Sequence, residues 1–79
     1  MNLKIYSKPN CPQCQQAKAL LESKGVGHVI LMLGVDYTRE ELLAIAPGAR
    51  TVPQIVDGDK LIGGFPELRE YLSDKASNE

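Results

Sequence analysis

Cys11 and Cys14, separated only by Pro12-Gln13, are the two cysteines of the chain. Two sulfurs one helical turn apart can form and break a disulfide with each other. The thiolate is the attacking species in that exchange. Pro12 suits the first position of a helix, where its missing N–H costs nothing. Cys11 is then the capping residue, and the unpaired N–H groups of the first turn point at its sulfur. Such a sulfur ionises more readily than a free thiol. Lys8, three residues upstream, adds positive charge. Cys14 lies one turn inward, is expected to be the more shielded of the two, and is suited to resolve a mixed disulfide. Other uses of the pair fit less well. A structural disulfide across two residues closes too short a loop to stabilise much. An intrachain zinc site needs about four ligands, and His28, the single histidine, reads as a strand-edge residue. Two inert cysteines are the remaining alternative.

The elements that must hold this pair alternate along the chain. Leu3 to Tyr6 alternates apolar and polar as a strand does, and Ser7 to Asn10 is a loop. The helix from Pro12 carries Ala17, Leu20 and Leu21 on one face and ends at Lys24-Gly25. Val29 to Leu33 reads as a buried strand parallel to the first. Thr38-Arg39-Glu40-Glu41 matches a capping box. It opens a helix with Leu42, Leu43 and Ala46 that stops before Pro47. Gln54 to Val56 and Lys60 to Ile62 form a hairpin signalled by Asp57-Gly58. Gly63-Gly64 breaks the chain, Pro66 opens a last helix with Leu68 and Leu72 inward, and residues after Ser73 are expected to fray. The order strand-helix-strand-helix-strand-strand-helix predicts a layered α/β fold.

The 79 residues suffice for one domain, taken as 1–79. A 43% hydrophobic and 24% charged composition is that of a globular chain. Nine basic and ten acidic residues give a net charge of −1, which argues against nucleic acid as a partner. No apolar run reaches the roughly 20 residues that span a bilayer, so no membrane association is expected. The first residues lack the apolar core of a secretory signal, and a paired rather than scattered use of cysteine suits a reducing compartment. The chain is therefore expected to be cytoplasmic.

Tyr6-Ser7-Lys8-Pro9-Asn10-Cys11-Pro12-Gln13-Cys14 resembles the active-site segment of glutaredoxins. Thr51-Val52-Pro53 resembles that family's Thr-Val-Pro segment, and Gly63-Gly64-Phe65 its double glycine before the last helix. The three motifs fall in order on the expected elements, and the resemblance spans residues 3 to 72. It implies a thioredoxin-like fold, with a four-stranded mixed sheet and three helices. It implies a thiol–disulfide oxidoreductase with Cys11 and Cys14 catalytic, glutathione as reductant, and no tightly bound cofactor or metal. It also implies a cis bond before Pro53, an extended substrate pairing with the Val52 backbone, and the γ-glutamyl carboxylate held at Gly63-Gly64. Lys8 and Arg50 would meet the glycyl carboxylate, and Glu67 the amino group. Gln13, Thr51, Pro53, Gly64 and Phe65 complete the expected glutathione contacts.

Two departures stand out: many dithiol relatives have tyrosine at the position of Gln13, and an aspartate pair where this chain has Pro66-Glu67. They leave open a glutaredoxin-like redoxin that a flavoprotein thioredoxin reductase reduces and that donates electrons to ribonucleotide reductase. A module carrying zinc or an iron–sulfur cluster between subunits is a further alternative, against which Pro12 speaks. Expected partners are glutathione and disulfide-containing proteins, with the chain a monomer.

Overall fold

The computed structural model describes residues 2–77. β1 (Asn2–Ser7), α1 (Pro12–Ser23), β2 (Gly27–Met32), α2 (Arg39–Ile45), β3 (Gln54–Asp57), β4 (Lys60–Gly63) and α3 (Phe65–Ser77) follow one another in the predicted order. The strands form one mixed sheet in the order β2-β1-β3-β4. β1 runs parallel to β2, with Ile5 beside Ile30, and antiparallel to β3, with Ile5 beside Ile55. β3 and β4 form an antiparallel hairpin with an irregularity between Ile55 and Val56. This is the thioredoxin-like arrangement of four strands and three helices that the motifs imply.

Side chains on successive strand residues point to opposite faces, and the core divides accordingly. On one face Leu3, Ile5 and Ile55 pack with Ala17 and Leu21 of α1 and Leu68 and Leu72 of α3. On the other, Tyr6 and Val56 pack with Tyr37 and Leu42 under α2. The Tyr6 and Tyr37 rings meet edge to face, 5.0 Å between centroids. The Tyr37 hydroxyl donates to Ser7 O at 2.7 Å, which ties the end of β1 to the segment entering α2. Burial raises the Tyr37 hydroxyl's pKa above its ordinary value, and the neighbouring Tyr6 adds to the shift.

The helix ends follow the sequence signals. Gly25, at φ +66°, donates to Glu22 O while Val26 donates to Leu21 O, which closes α1 in a Schellman motif. Both bonds of the Thr38–Glu41 capping box are present at α2. The hairpin turns through Gly58-Asp59, with Gly58 at φ +63° in the position that favours glycine.

One expectation changes. The Val29–Leu33 run is not a buried strand: β2 lies at the sheet edge, where Val29 is 53% exposed and Leu33 36%. Val29 lies beside exposed Lys4, which separates it from Val56 and the buried cluster under α2. His28, on this edge strand, uses Nδ1 in a 2.8 Å hydrogen bond to Val26 O. α3 extends to Ser77, and residues 78 and 79, part of the segment expected to fray, lie outside the described residues.

Candidate active site

Asn10 adopts the left-handed conformation at φ +59°, which asparagine tolerates better than most residues, and turns the chain from β1 into α1. Cys11 follows in extended conformation as the helix cap, with Pro12 in the first turn. The Cys14 N–H donates to the Cys11 sulfur at 3.1 Å. This is the capping bond that a serine or aspartate oxygen makes elsewhere, here made to a sulfur. The first turn of α1 contains no acidic residue, so no carboxylate on it opposes a negative sulfur.

Cys11 and Cys14 are joined as a disulfide with Cα atoms 5.2 Å apart. The expected difference in shielding is absent: each residue is 6% exposed. The two sulfurs differ in their surroundings instead. Cys11 Sγ receives the Cys14 N–H and lies 3.7 Å from Val52 O.

Val52–Pro53 is a cis peptide bond, as the motif implies. Pro53 is buried, Val52 half-buried and Thr51 exposed. Among the described residues the Val52 N–H has no backbone partner. Thr51 O accepts from Gln54 Nε2 at 2.9 Å, which braces the turn before β3.

A groove of about 190 Å³ opens from this turn, and Lys8, Arg50, Thr51 and Val52 all line it. The motifs imply that these four act together. On the other side of Lys8, a second groove of about 220 Å³ reaches Cys11, Cys14, Gln15 and Lys18. Gln13 is exposed on the first turn of α1 and lines neither groove. Lys18 is not marked by any motif, although its position four residues after Cys14 places both on one helix face. Arg39 and Leu43, which line the first groove, also escape the sequence. Nothing local to α2 marks them; they reach the groove only because the fold brings α2 beside Arg50.

The double glycine adjoins the same turn. Gly64 lies close enough to Pro53 that an added Cβ would meet Pro53 O at 3.5 Å. Its N–H is engaged within the chain, donating to Glu67 Oε1 at 2.8 Å. Pro66 supplies no N–H. The open backbone anion site expected at Gly63-Gly64 is thus partly filled by the chain's own carboxylate. The Phe65 ring packs against the main core, with the Arg69 guanidinium 6.0 Å from its centroid. No group of three or more metal-ligating side chains occurs among the described residues.

Chemically, the arrangement provides a sulfur held at a helix cap, a partner sulfur in reach, a backbone edge beside them and three cations, Lys8, Arg39 and Arg50, on one flank. The glutaredoxin family profile matches residues 3–62. Over 67 residues the chain is 42% identical to glutaredoxin 3 of Escherichia coli, covering 85% of this chain and 81% of that protein. It is 40% identical over 72 residues to the hybrid peroxiredoxin hyPrx5 of Haemophilus influenzae, covering 91% of this chain but 30% of that protein's length. A buckwheat glutaredoxin–glutathione complex superposes with a TM-score of 0.78 at 30% identity, over 92% of this chain and 69% of the other.

Proposed function

The chain belongs to the glutaredoxin family of thiol–disulfide oxidoreductases, and from that premise we propose that it reduces protein disulfides and glutathione mixed disulfides with glutathione as reductant. The observation that carries the reading is the Cys11 sulfur, 3.7 Å from Val52 O and capped by the Cys14 N–H.

The Cys11 thiolate attacks the glutathione sulfur of a mixed disulfide. A Cys11–glutathione bond forms, the substrate sulfur leaves with the electron pair of the broken bond, and it takes a proton from water. Cys14 resolves a protein substrate's mixed disulfide in the same way, as a thiolate attacking Cys11. That step yields the Cys11–Cys14 disulfide. Two glutathione molecules restore the dithiol: the first opens the bond at Cys11, the second attacks the sulfur of the first. The products are glutathione disulfide and both reduced cysteines.

The bound glutathione cysteine pairs with the Val52 backbone as an added strand, beside Thr51 and Pro53. Its glycyl carboxylate faces Lys8 and Arg50. One oxygen of Glu67 is held by Gly64, and the other accepts from the γ-glutamyl ammonium. Phe65 and Gln13 border the ligand. A monomer in the cytoplasm, where glutathione is reduced, suits this cycle.

A second reading is favoured by the engaged Gly64 N–H, the absent Pro66 N–H and the lack of an aromatic side chain at Gln13. These weaken the γ-glutamyl end and suit a redoxin reduced by a flavoprotein thioredoxin reductase, with ribonucleotide reductase as electron acceptor. Coupled assays separate the two. Turnover of a small glutathione mixed disulfide with glutathione, glutathione reductase and NADPH is expected. Turnover only with thioredoxin reductase would reverse the choice.

A further inference from the structure

The two ends of the proposed glutathione site are unequally built. At the glycyl end Lys8, Arg39 and Arg50 line the groove beside Val52, and no carboxylate does. At the other end Gly64 and the start of α3 adjoin Pro53. Free N–H groups at a helix start can hold an anion, but here they are depleted. The Gly64 N–H donates to Glu67 Oε1 at 2.8 Å. Pro66 has no N–H. The N–H groups of Phe65 and Glu67 remain, beside a carboxylate fixed by the chain itself. The first two turns of α3 carry Glu67 and Glu70 against Arg69, whose guanidinium stands 6.0 Å from the Phe65 ring.

A γ-glutamyl group ends in an α-ammonium and an α-carboxylate on one carbon. The ammonium suits the second oxygen of Glu67. The carboxylate arrives at the same place, meets like charge, and finds only two backbone donors to offset it. The two effects oppose each other, so the head group as a whole contributes little. Nothing comparable opposes the glycyl carboxylate in its groove. Glu67 is exposed, and an exposed charge contact shifts affinity by about fivefold at most.

We infer that the site discriminates against the α-carboxylate of the γ-glutamyl group and favours a thiol whose amino side ends in a bare ammonium. Its substrate class is wider than glutathione. It takes in mixed disulfides of cysteinylglycine thiols that carry a cationic acyl group in place of the γ-glutamyl one. The sulfur chemistry is unchanged. The Cys11 thiolate bonds to the sulfur of the small thiol, and the other sulfur leaves with the electron pair and takes a proton from water. The inference rests on the proposed placement of glutathione and refines which part of it is recognised.

Single-turnover release of a fluorogenic cysteine peptide tests it, with protein reduced by dithiothreitol and then freed of it. The peptide cysteine carries one of three small thiols. They are glutathione, γ-aminobutyryl-cysteinylglycine, which lacks only the α-carboxylate, and glutathione with its glycyl carboxylate made an amide. Each rate is divided by that of dithiothreitol alone on the same disulfide, which removes differences in intrinsic reactivity. At low salt the decarboxylated thiol should react about two- to fivefold faster than glutathione. The gap should narrow near about 0.3 M salt, where exposed charges are screened. The amide should react roughly tenfold more slowly than glutathione, having lost its pairing with the cationic groove. Glu67→Gln keeps an oxygen for the Gly64 N–H and removes the charge, so the decarboxylated thiol should lose its advantage. Glutathione reacting as fast as the decarboxylated thiol, or faster, would overturn the inference and give the α-carboxylate a partner, Arg69 being the cation on those turns. An amide as fast as glutathione would instead strike the proposed glycyl contacts, while the comparison at the amino end still supports the inference. No reaction with any of the three would sink both.

Discussion

Glu67 Oε1 accepts the N–H of Gly64, three residues before it, at 2.8 Å. This is half of a capping box, because Gly64 has no side chain to return the second bond. The bond opens α3, and it also sets a carboxylate beside the Val52–Pro53 turn. Glu67→Ala should cost about 1 kcal/mol, which lowers the melting temperature by about 4–8 °C in a domain of this size. Glu67→Gln retains an acceptor oxygen and should lose less. In both variants KM for a glutathione mixed disulfide should rise about two- to fivefold, as expected for loss of one exposed charge contact. A parent-like KM would remove Glu67 from the binding site while leaving its helix role intact.

Gly63 sets the angle at which that carboxylate arrives. Its φ is +124°, and an added Cβ would lie 2.9 Å from Glu67 Cγ. Gly63→Ala is therefore strained by its backbone and crowds Glu67 as well. It should destabilise the protein by about 1–3 kcal/mol. Gly48 has no positive φ, and a Cβ added there would meet nothing within 4 Å, so Gly48→Ala serves as the control and should be close to neutral. Urea titrations of both variants check the contrast; equal midpoints would sink it.

Much of this geometry is legible in the sequence because local signals agree with the global fold. Pro12, the Thr38–Glu41 box and Lys24-Gly25 each mark a helix end by local hydrogen bonding, so the sequence alone suffices there. Thr51-Val52-Pro53 is legible only through resemblance, since a proline before a strand has an ordinary reading as well. The apolar run around Val29 suggests burial that the fold does not deliver, because such a run reports composition, not position in the sheet; β2 is an edge strand, and on its α2 face Leu31, not Val29, packs against the Tyr6–Leu42 cluster. Arg39 and Leu43 are hidden for a related reason. Their place beside Arg50 depends on packing between segments that no periodicity connects. The Glu67–Gly64 bond is within reach, because a glutamate three residues after a helix-opening glycine is a capping signal.

Tyr37 links the fold to pH. An unfolded tyrosine titrates near 10, and burial holds the folded Tyr37 hydroxyl above that value. Between the two values the folded state keeps a proton that the unfolded state has lost. Stability from this group is therefore complete below about pH 10 and declines as pH rises through the folded pKa. Tyr37→Phe should flatten that alkaline decline. At neutral pH it should cost about 0.5–1.5 kcal/mol for the lost bond to Ser7 O. The cost stays in that modest range because Ser7 O also accepts the Leu33 N–H at 2.9 Å. Thermal melts of parent and variant from neutral to strongly alkaline pH check the prediction; parallel curves would contradict it.

The two sulfurs should separate most clearly when each is replaced. Cys11 receives the Cys14 N–H and lies beside Val52 O, whereas the Cys14 sulfur, among the described residues, is engaged only through the disulfide. A hydrogen bond to the charged form favours ionisation, so reduced Cys11 should alkylate with a midpoint below the ordinary thiol value of about 8.5. Cys11→Ser should abolish reduction of a small glutathione mixed disulfide. Cys14→Ser removes the internal resolving thiol, but the backbone N–H of residue 14, which caps Cys11, remains. Glutathione itself can then release the intermediate, and a measurable share of that activity should persist. Reduction of a peptide disulfide should suffer far more, because its mixed disulfide with Cys11 depends on Cys14 for fast release. Turnover by the Cys11 variant, or equal losses on both substrates in the Cys14 variant, would mean that the helix cap does not select the attacking sulfur.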